Sequence, residues 1–180
     1  MTCIVGIEHK DEVWIGADSA GTNGRMDQRI RADKKVFIKG EFIVGFCGSF
    51  RAGQLLTCNL DVPPQPEGVD DFTFLVNEFT AAVRKCLEPL KEDDPQSAHP
   101  NFLFGYRGKL YGVEGDYQIS RSEDKFDSVG SGSDIAMGAL HASRGQSVKG
   151  RILRALEASA KNNAAVRPPF HIMSLRKGEG

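Results

Sequence analysis

Short apolar runs separated by tight polar turns open the chain. Residues 2–8 and 12–18 flank a turn at positions 10–11, and residues 35–38 and 42–47 flank a second turn at positions 39–40. Two apolar runs joined by so short a turn predict a β-hairpin. The run 42–47 is apolar without alternation, which indicates a strand covered on both faces. The first quarter of the chain is therefore predicted to form four strands in two hairpins.

A helical spacing of apolar residues follows these strands. Ser49 is placed to cap a helix that runs to Leu60, and the proline-rich segment 62–66 ends it. From Asp71 to Leu87 the apolar residues recur at i, i+3, i+4 and i+7, which predicts an amphipathic helix. Residues 94–100 are predicted to form a loop.

The second half of the chain repeats this order of strands and then helices. Strands are predicted at residues 101–106 and 109–115, with a third within 117–129. Two helices begin near Ser133 and Ser147, and a last strand covers residues 170–175. Runs of strands followed by runs of helices argue against an alternating parallel sheet. We therefore predict an α+β fold in which residues 1–180 form a single domain. Two antiparallel sheets covered by helix pairs would make it a four-layer αββα sandwich.

Composition and charge narrow the range of functions. The 180 residues carry a net charge of −1 with 26% charged residues, so no basic surface for nucleic acid is indicated. The first ten residues lack a basic leader, and their apolar run is too short for a signal peptide or a membrane span, which favours a cytoplasmic protein. The cysteines lack CxxC spacing and the histidines lack close pairing, so neither disulfides nor a metal site is predicted. No cofactor is predicted either.

Thr2 is the first candidate for chemistry. A small residue at position two permits removal of Met1, and an N-terminal threonine then has its own α-amine within reach of its hydroxyl as a base. An α-amine titrates near pH ~7.7–8.0, so it is partly neutral at working pH. By itself, however, a threonine at position two is common and usually has no such role.

Asp18 and a pair of lysines are the next candidates. Asp18 ends the second predicted strand, beside the first, and Lys34 and Lys35 open the third. An ammonium near the α-amine would lower the pKa of that amine, and a carboxylate beside the lysine would hold it charged and oriented. Successive side chains of a strand point to opposite faces, so Lys34 and Lys35 cannot both face Thr2. Taken singly, each of these residues is more commonly an exposed polar residue.

Two glycine-containing junctions complete the candidate set. Gly48 lies between a predicted strand and a predicted helix, where backbone N–H groups can stabilise an oxyanion. Ser131 lies in a Gly-Ser-Gly-Ser segment, residues 130–133, before another helix, and this segment lacks the lysine of a phosphate-binding P-loop. A turn glycine and a flexible helix entry are the commoner explanations of the two junctions.

The order and spacing of these residues resemble proteasome β subunits and the proteasome-like peptidase subunit of the bacterial two-component heat-shock protease. Four motifs carry the resemblance between Thr2 and Phe50: residues 2–7 (TCIVGI), residues 16–18 (GAD) with Thr22, residues 34–37 (KKVF) and residues 45–48 (GFCG). Segment 130–133 falls where that family has a serine that assists the nucleophile. Essentially the whole chain fits the family pattern, the last quarter loosely.

The resemblance implies a catalytic role for five residues. Thr2 would be the nucleophile and, through its amine, the base. Lys35 would be the essential lysine and Asp18 its carboxylate partner. The backbone N–H of Gly48 would form the oxyanion hole, and Ser131 would support the amine.

The resemblance also implies substrate contacts. Thr22 and Phe50 would flank the substrate backbone, and Phe46 would line the pocket for the residue before the scissile bond. The alignment needs one inserted residue between Thr22 and Lys35, so Lys34 remains a rival to Lys35.

The chain departs from the family pattern at two places. Ala20 stands where proteasome subunits commonly have arginine, and segment 161–163 (KNN) has no acid where the family has a carboxylate. Without that acid, Ser131 loses a partner that the family pattern supplies.

The resemblance predicts a threonine-type endopeptidase that acts on polypeptides and assembles into homo-oligomeric rings, with an AAA+ ATPase unfoldase as a partner for folded substrates. A catalytically inactive ring or scaffold protein of the same fold, or a small-molecule amidase, stays open as an alternative. The predicted helical layer is a candidate surface for ring contacts through Leu55, Leu56, Phe79 and Val83.

Overall fold

The computed structural model describes residues 2–23, 25, 27–93 and 99–180. Its strands are β1 (Ile4–His9), β2 (Glu12–Ala17), β3 (Ala20–Thr22), β4 (Gln28–Ile30), β5 (Val36–Lys39), β6 (Phe42–Phe46), β7 (Phe102–Tyr106), β8 (Lys109–Val113), β9 (Ile119–Ser120), β10 (Phe126–Val129) and β11 (His171–Arg176). Its helices are α1 (Phe50–Asn59), α2 (Asp71–Phe74), α3 (Thr80–Leu87), α4 (Leu90–Asp93), α5 (Ser133–Ala142) and α6 (Val148–Asn162), and a π-helical segment, Leu75–Phe79, joins α2 to α3.

The strands form two antiparallel sheets and a small ribbon. One sheet has the order β10-β1-β2-β11, the other the order β5-β6-β7-β8-β9, and β3 pairs with β4. The register pairs Ile4 of β1 with both Ala17 of β2 and Val129 of β10. The start of β1 therefore lies between the end of β2 and the end of β10, which is where the candidate residues converge.

Three clusters of buried side chains join four layers. One cluster, which includes Ile4, Ile15 and Ile43, lies between the two sheets. A second packs α1 and α3 on the five-stranded sheet, and a third packs α5 and α6 on the four-stranded sheet. The sheets approach closely at Gly45, where an added Cβ would lie 2.6 Å from Ile15 and 2.7 Å from Ile4. The predicted αββα sandwich is confirmed.

Most predicted elements are confirmed, and several parts of the chain differ. The helix predicted at residues 71–87 is interrupted by the π-helical segment Leu75–Phe79, and α4 was not predicted. The hairpins β1–β2, β5–β6 and β7–β8 form as expected, and Ser49 caps α1 through a bond from Ala52 N–H. Residues 117–129 hold two strands rather than one: β9 extends the five-stranded sheet, while β10 joins the four-stranded sheet. The β3–β4 ribbon was not predicted, because strands of three residues are too short to show an alternating pattern.

The expected surface for ring contacts is wrong. Leu55, Leu56, Phe79 and Val83 are buried and belong to the cluster under the helical layer. An amphipathic helix turns its periodic apolar residues toward its own core. The pattern that predicts these helices therefore cannot also mark a contact surface.

Two expectations concern residues outside the described part of the chain. They are the removal of Met1 and most of the loop predicted at 94–100, of which residues 94–98 are not described. Within the described residues, none of the helices is both long enough and apolar enough to cross a membrane.

Candidate active site

The first hairpin places Thr2 and Asp18 next to each other. Their strands are paired up to Ile4 and Ala17, and beyond the ladder Asp18 N–H donates to the Cys3 carbonyl at 3.3 Å. Cys3 N–H in turn donates to Asp18 Oδ1 at 3.1 Å. The backbone of the residue after Thr2 and the side chain of Asp18 are thus tied together.

Lys35 completes a buried cluster of three side chains. Its Nζ lies 3.0 Å from Thr2 Oγ1 and 2.7 Å from Asp18 Oδ1. Thr2, Asp18 and Lys35 are only 2%, 0% and 1% exposed. Burial lowers the pKa of the Lys35 ammonium, and the Asp18 carboxylate opposes this by favouring the charged form. A hydroxyl, an ammonium and a carboxylate therefore meet in a site that excludes most water.

Burial distinguishes the two candidate lysines, which both precede β5. Lys35 precedes Val36, the first residue of β5, and its carbonyl accepts a hydrogen bond from Phe46 N–H at 3.0 Å. Lys34 is exposed. Lys35 lies at a bend of the chain, so the alternation of a strand does not account for this difference.

Asp18 accepts hydrogen bonds on both carboxylate oxygens. Oδ1 binds Lys35 and Cys3 N–H, and Oδ2 accepts from Ala20 N–H at 3.0 Å and Arg167 N–H at 3.3 Å. A buried carboxylate needs such donors, because desolvation otherwise disfavours its charged form. The bonds from three different segments also restrict the orientation of the carboxylate.

Ser131 faces Thr2 from the loop between β10 and α5. Thr2 N–H donates to Ser131 Oγ at 3.3 Å, and Ser131 Oγ donates to the Thr2 carbonyl at 3.4 Å. Gly132 N–H donates to the same carbonyl at 3.2 Å. At Gly130, φ is +100° and an added Cβ would lie 2.3 Å from the Thr2 carbonyl oxygen, so this position requires glycine. The Thr2 nitrogen here is the amide of the Met1–Thr2 bond, and it stands in for the α-amine that removal of Met1 would create.

Gly48 and Phe46 flank the end of β6, next to this cluster. Gly48 has φ +84°, and an added Cβ would meet nothing within 4 Å, so the glycine faces open space. In the described part of the chain, Gly48 N–H donates to no acceptor. Phe46 lines a cavity of about 460 Å³ whose walls include Phe37 and Met173, and it also borders a smaller cavity beside Gly48.

Thr22 and Phe50 line a different cavity, of about 560 Å³, along the β3–β4 ribbon. The Phe50 ring centroid lies 5.6 Å from Lys35 Nζ and 3.9 Å from Arg31 Cζ. Thr22 Oγ1 is buried and has no hydrogen-bond partner among the described residues. The structure thus joins Ser131, Thr2, Lys35 and Asp18 by successive contacts. Phe50 lies beside Lys35, whereas Thr22, Phe46 and Gly48 line cavities.

Two contacting residues, Arg167 and Asn163, were not singled out from the sequence. Arg167 binds Asp18 through its backbone N–H, a group that every residue except proline has and that leaves no sequence signal. Asn163 Nδ2 donates to the Ser131 carbonyl at 2.7 Å. Asn163 falls in segment 161–163, which lacks the acid of the family pattern. That departure was the one sequence feature that could have pointed to a contact with Ser131.

The Cys47 thiol is a second potential nucleophile near the site. Burial raises the pKa of the Cys47 thiol to about 11, and the thiol donates to the Asn101 carbonyl at 3.1 Å. It is therefore a neutral thiol rather than a competing thiolate. Among residues 2–23, 25, 27–93 and 99–180, no three His, Cys, Asp or Glu side chains are grouped as metal ligands.

No protein-family model matches the chain, and no curated protein sequence matches it significantly. Solved structures do match it over nearly its whole length. Thiobacillus denitrificans BPH aligns with a TM-score of 0.77 at 20% identity, over 98% of this chain and 99% of its own. Eukaryotic HslV from Trypanosoma brucei aligns with a TM-score of 0.72 at 17% identity, over 97% of this chain and 99% of its own. A Gly-1 mutant of Anbu from Hyphomicrobium sp. strain MC1 aligns with a TM-score of 0.72 at 17% identity, over 98% of this chain and 82% of its own.

Similarity at this level of identity concerns the fold. It agrees with the resemblance of the motifs between Thr2 and Phe50, and with the two helix-covered antiparallel sheets. The chain has the fold of the proteasome-like N-terminal-nucleophile hydrolases.

Proposed function

We propose that this protein is a threonine-type endopeptidase whose nucleophile is Thr2 after removal of Met1. The observation that carries the proposal is the buried contact of Lys35 Nζ with both Thr2 Oγ1 and Asp18 Oδ1, at 3.0 Å and 2.7 Å. A lysine is rarely buried without a reason, because its ammonium must leave water. Activation of a neighbouring nucleophile is such a reason.

The proposed reaction is an acyl transfer in two steps. The Thr2 amine takes the proton of Oγ1 as the oxygen attacks the carbonyl of the scissile bond, and then gives it to the departing amine. This leaves an ester between Thr2 and the N-terminal part of the substrate. Water then attacks the ester and releases the second product, and Thr2 regains its hydroxyl.

The surrounding residues have matching proposed roles. The Lys35 ammonium favours the neutral form of the amine, and Asp18 keeps the lysine charged. Gly48 N–H would bind the oxyanion, which is supported by its open surroundings and by the absence of an acceptor for it in the described chain. Ser131 would hold the amine.

The substrate contacts are also proposals. Thr22 and Phe50 would flank the extended substrate backbone, and the cavity beside Phe46 would take the side chain before the scissile bond. Its walls are mostly apolar, with Phe37, Ile38 and Met173 among them. An apolar side chain is therefore the preferred occupant of this cavity.

Assembly and location follow from the same proposal. We infer a single domain that forms homo-oligomeric rings in the cytoplasm, binds polypeptides, and uses no cofactor, metal, nucleic acid or membrane. Peptides would enter the rings unaided, whereas folded proteins would need an AAA+ ATPase unfoldase.

Intact mass and peptide hydrolysis test the proposal together. We expect the purified protein to lack Met1 and to cleave a fluorogenic peptide with an apolar residue before the bond. Thr2→Ala should lose this activity while staying folded, and Thr2→Ser, the matched control, should retain part of it. Epoxomicin, which is bound by BPH of Thiobacillus denitrificans, should inhibit the wild type. Full activity in Thr2→Ala would contradict the assignment.

One observation favours a second candidate, an inactive ring or scaffold protein. Asn163 contacts the Ser131 backbone where the family pattern has an acid, so the support of Ser131 differs from that pattern. Retention of Met1 together with absence of hydrolysis would support this candidate.

A further inference from the structure

The C-terminal end of α6 is closed by the guanidinium of Arg167. Its NH1 atom lies 3.0, 3.1 and 2.8 Å from the carbonyl oxygens of Ala160, Asn163 and Val166. The last carbonyls of a helix have no partners within the helix, and a cation placed there also interacts favourably with the helix dipole. Arg167 thus fixes the path of the chain as it leaves α6.

The backbone of the same residue holds the second hairpin strand. Arg167 N–H donates to Asp18 Oδ2 at 3.3 Å, and the Arg167 carbonyl accepts from Ser19 N–H at 2.9 Å. These two bonds join the end of α6 to the segment that carries Asp18. The position of Asp18 relative to Lys35 therefore depends on where Arg167 lies.

Two other residues of this end of the helix hold the loop that carries Ser131. Ser159 Oγ donates to the Gly132 carbonyl at 2.9 Å, and Asn163 Nδ2 donates to the Ser131 carbonyl at 2.7 Å. Asn163 also offers its own carbonyl to the Arg167 guanidinium. Asp18, which binds Lys35, and Ser131, which binds Thr2, are thus supported by one element.

We propose that Arg167 is a positioning residue of the active centre, whose guanidinium fixes the end of α6 so that Asp18 and Ser131 keep their places around Thr2 and Lys35. Its effect on turnover rests on the proposed peptidase function. Its effect on the Asp18–Lys35 contact does not.

The proposal predicts a change at Lys35 when the guanidinium is removed. Burial lowers the pKa of the Lys35 ammonium, while Asp18 favours its charged form. Cys47, Cys3 and Asp33 also interact with the ammonium electrostatically, and Thr2 Oγ1 accepts a hydrogen bond from it. In Arg167→Gln the carboxylate is held less firmly. We expect the titration midpoint of Lys35 to fall by about half a pH unit or more.

The experiment is a 15N NMR titration of the lysine Nζ groups, with the Lys35 signal assigned by its loss in Lys35→Arg. The matched control is Arg176→Gln, which removes an exposed guanidinium that pairs with Glu12 on β2. We expect the control to leave the Lys35 midpoint unchanged. In Arg167→Gln we expect kcat to fall at least about tenfold with little change in KM, as for a small misplacement of catalytic groups. Arg167→Lys keeps the positive charge at the end of α6, so it should recover part of the loss in kcat and part of the shift in the Lys35 midpoint. Recovery should be incomplete, because an ammonium reaches fewer of the three carbonyls.

The outcomes separate positioning from a merely structural role. A lower melting temperature in Arg167→Gln with an unchanged Lys35 midpoint and unchanged kcat overturns the proposal. If Arg167→Gln does not fold, Arg167→Lys is the deciding variant. A Lys35 midpoint and a kcat equal to those of the wild type overturn the positioning role, and a lowered midpoint with a reduced kcat supports it. If the wild type hydrolyses no peptide, the peptidase proposal fails, and the Lys35 midpoint alone tests Arg167.

Discussion

Lys35 and Asp18 form an ion pair that is almost completely excluded from solvent. Moving two charges out of water costs several kcal/mol per ion, and the attraction between them offsets this only when the remaining hydrogen-bonding capacity is also used. Asp18 meets this condition through three backbone N–H groups, and Lys35 through Thr2 Oγ1. At the scale of the residue, the site is a charged pair whose geometry is held by the backbone.

Replacement of the two lysines tests which of them serves Thr2. We expect Lys35→Ala and Lys35→Arg to lose nearly all turnover, because the first removes the ammonium and the second puts a larger planar group into a buried space. Lys34→Ala should cost little, since Lys34 is exposed. The measurement is kcat against pH for the three variants, with circular dichroism as the control of folding. Loss of activity in Lys34→Ala alone would contradict the role proposed for Lys35.

Removal of the Lys35 charge should also destabilise the fold. We expect Lys35→Met to lower the free energy of unfolding at neutral pH by about 3–5 kcal/mol, because it leaves the buried Asp18 carboxylate without its cation. Lys34→Met, the matched control, should change it by less than about 0.5 kcal/mol. Urea unfolding followed by circular dichroism measures both. Equal stability of the two variants would show that the buried pair contributes nothing.

The same unfolding experiment has an expected pH dependence. Burial lowers the pKa of Lys35 in the folded protein, so the unfolded chain binds more protons between that lowered pKa and the ordinary value of about 10.4. The pH-dependent part of the Lys35 contribution is therefore fully present above the ordinary value and is lost as the pH falls through the lowered pKa. The wild type should gain stability relative to Lys35→Met as the pH rises through this window. A difference that is flat or falls with pH would contradict the lowered pKa.

At the scale of elements, α1 shapes the cavity beside the active centre by its packing on β6. Gly53 of α1 lies directly on the Phe46 ring: an added Cβ would be 2.1 Å from Cζ. The glycine thus lets the helix approach the sheet, and the ring it covers forms one wall of the apolar cavity. Helix position and pocket shape are coupled at this contact.

The variant Gly53→Ala tests this coupling. The methyl group must displace the Phe46 ring, which we expect to cost about 1–3 kcal/mol of stability by overpacking. The displacement should also raise KM for peptides with a large apolar residue before the scissile bond. Gly138→Ala on α5 is the control: its Cβ would meet nothing within 4 Å, so it should stabilise the helix by about 0.5–1 kcal/mol. Unfolding curves and KM values are measured for both variants. Wild-type stability and KM in Gly53→Ala would contradict the coupling of helix position to cavity shape.

At the scale of the whole molecule, two sheets packed face to face present the ends of β1, β2, β6 and β10 near one another. Thr2, Asp18 and Gly48 lie next to these ends, Lys35 lies just before β5, and Ser131 lies in the loop between β10 and α5. Gly45 contributes by letting the sheets approach at the centre. The helices shield the outer faces of both sheets and leave the site at an end of the sandwich.

Self-association is the prediction at this scale. Under the proposed peptidase function, an isolated subunit of 19.7 kDa would cleave any polypeptide that reached its site, so we expect an assembly of many subunits that encloses the site. Sedimentation velocity and native mass spectrometry at micromolar concentration measure the subunit number. Because Leu55, Leu56, Phe79 and Val83 are buried, the contacts must use other surfaces. A protein that stays monomeric would rule the assembly out.

The sequence by itself determined the local elements and the fold class. Hairpins with tight turns and the helices around residues 49–60 and 71–87 depend on short-range patterns, so they can be read from neighbouring residues. Strand alternation predicted that only one of Lys34 and Lys35 would face Thr2, and only Lys35 does, although both residues precede β5 in the structure. The order of strands and helices predicted the αββα sandwich, and the resemblance of the motifs between Thr2 and Phe50 added the choice of Lys35.

The tertiary structure decided which distant groups meet. Ser131 reaches Thr2 across 129 residues of sequence, and Arg167 N–H reaches Asp18 across 149. Backbone donors are chemically alike in nearly all residues, so no pattern marks the few that bind a side chain. The split of residues 117–129 between two sheets has the same cause, because a strand's partner is chosen by packing of the whole molecule and not by the strand's own residues.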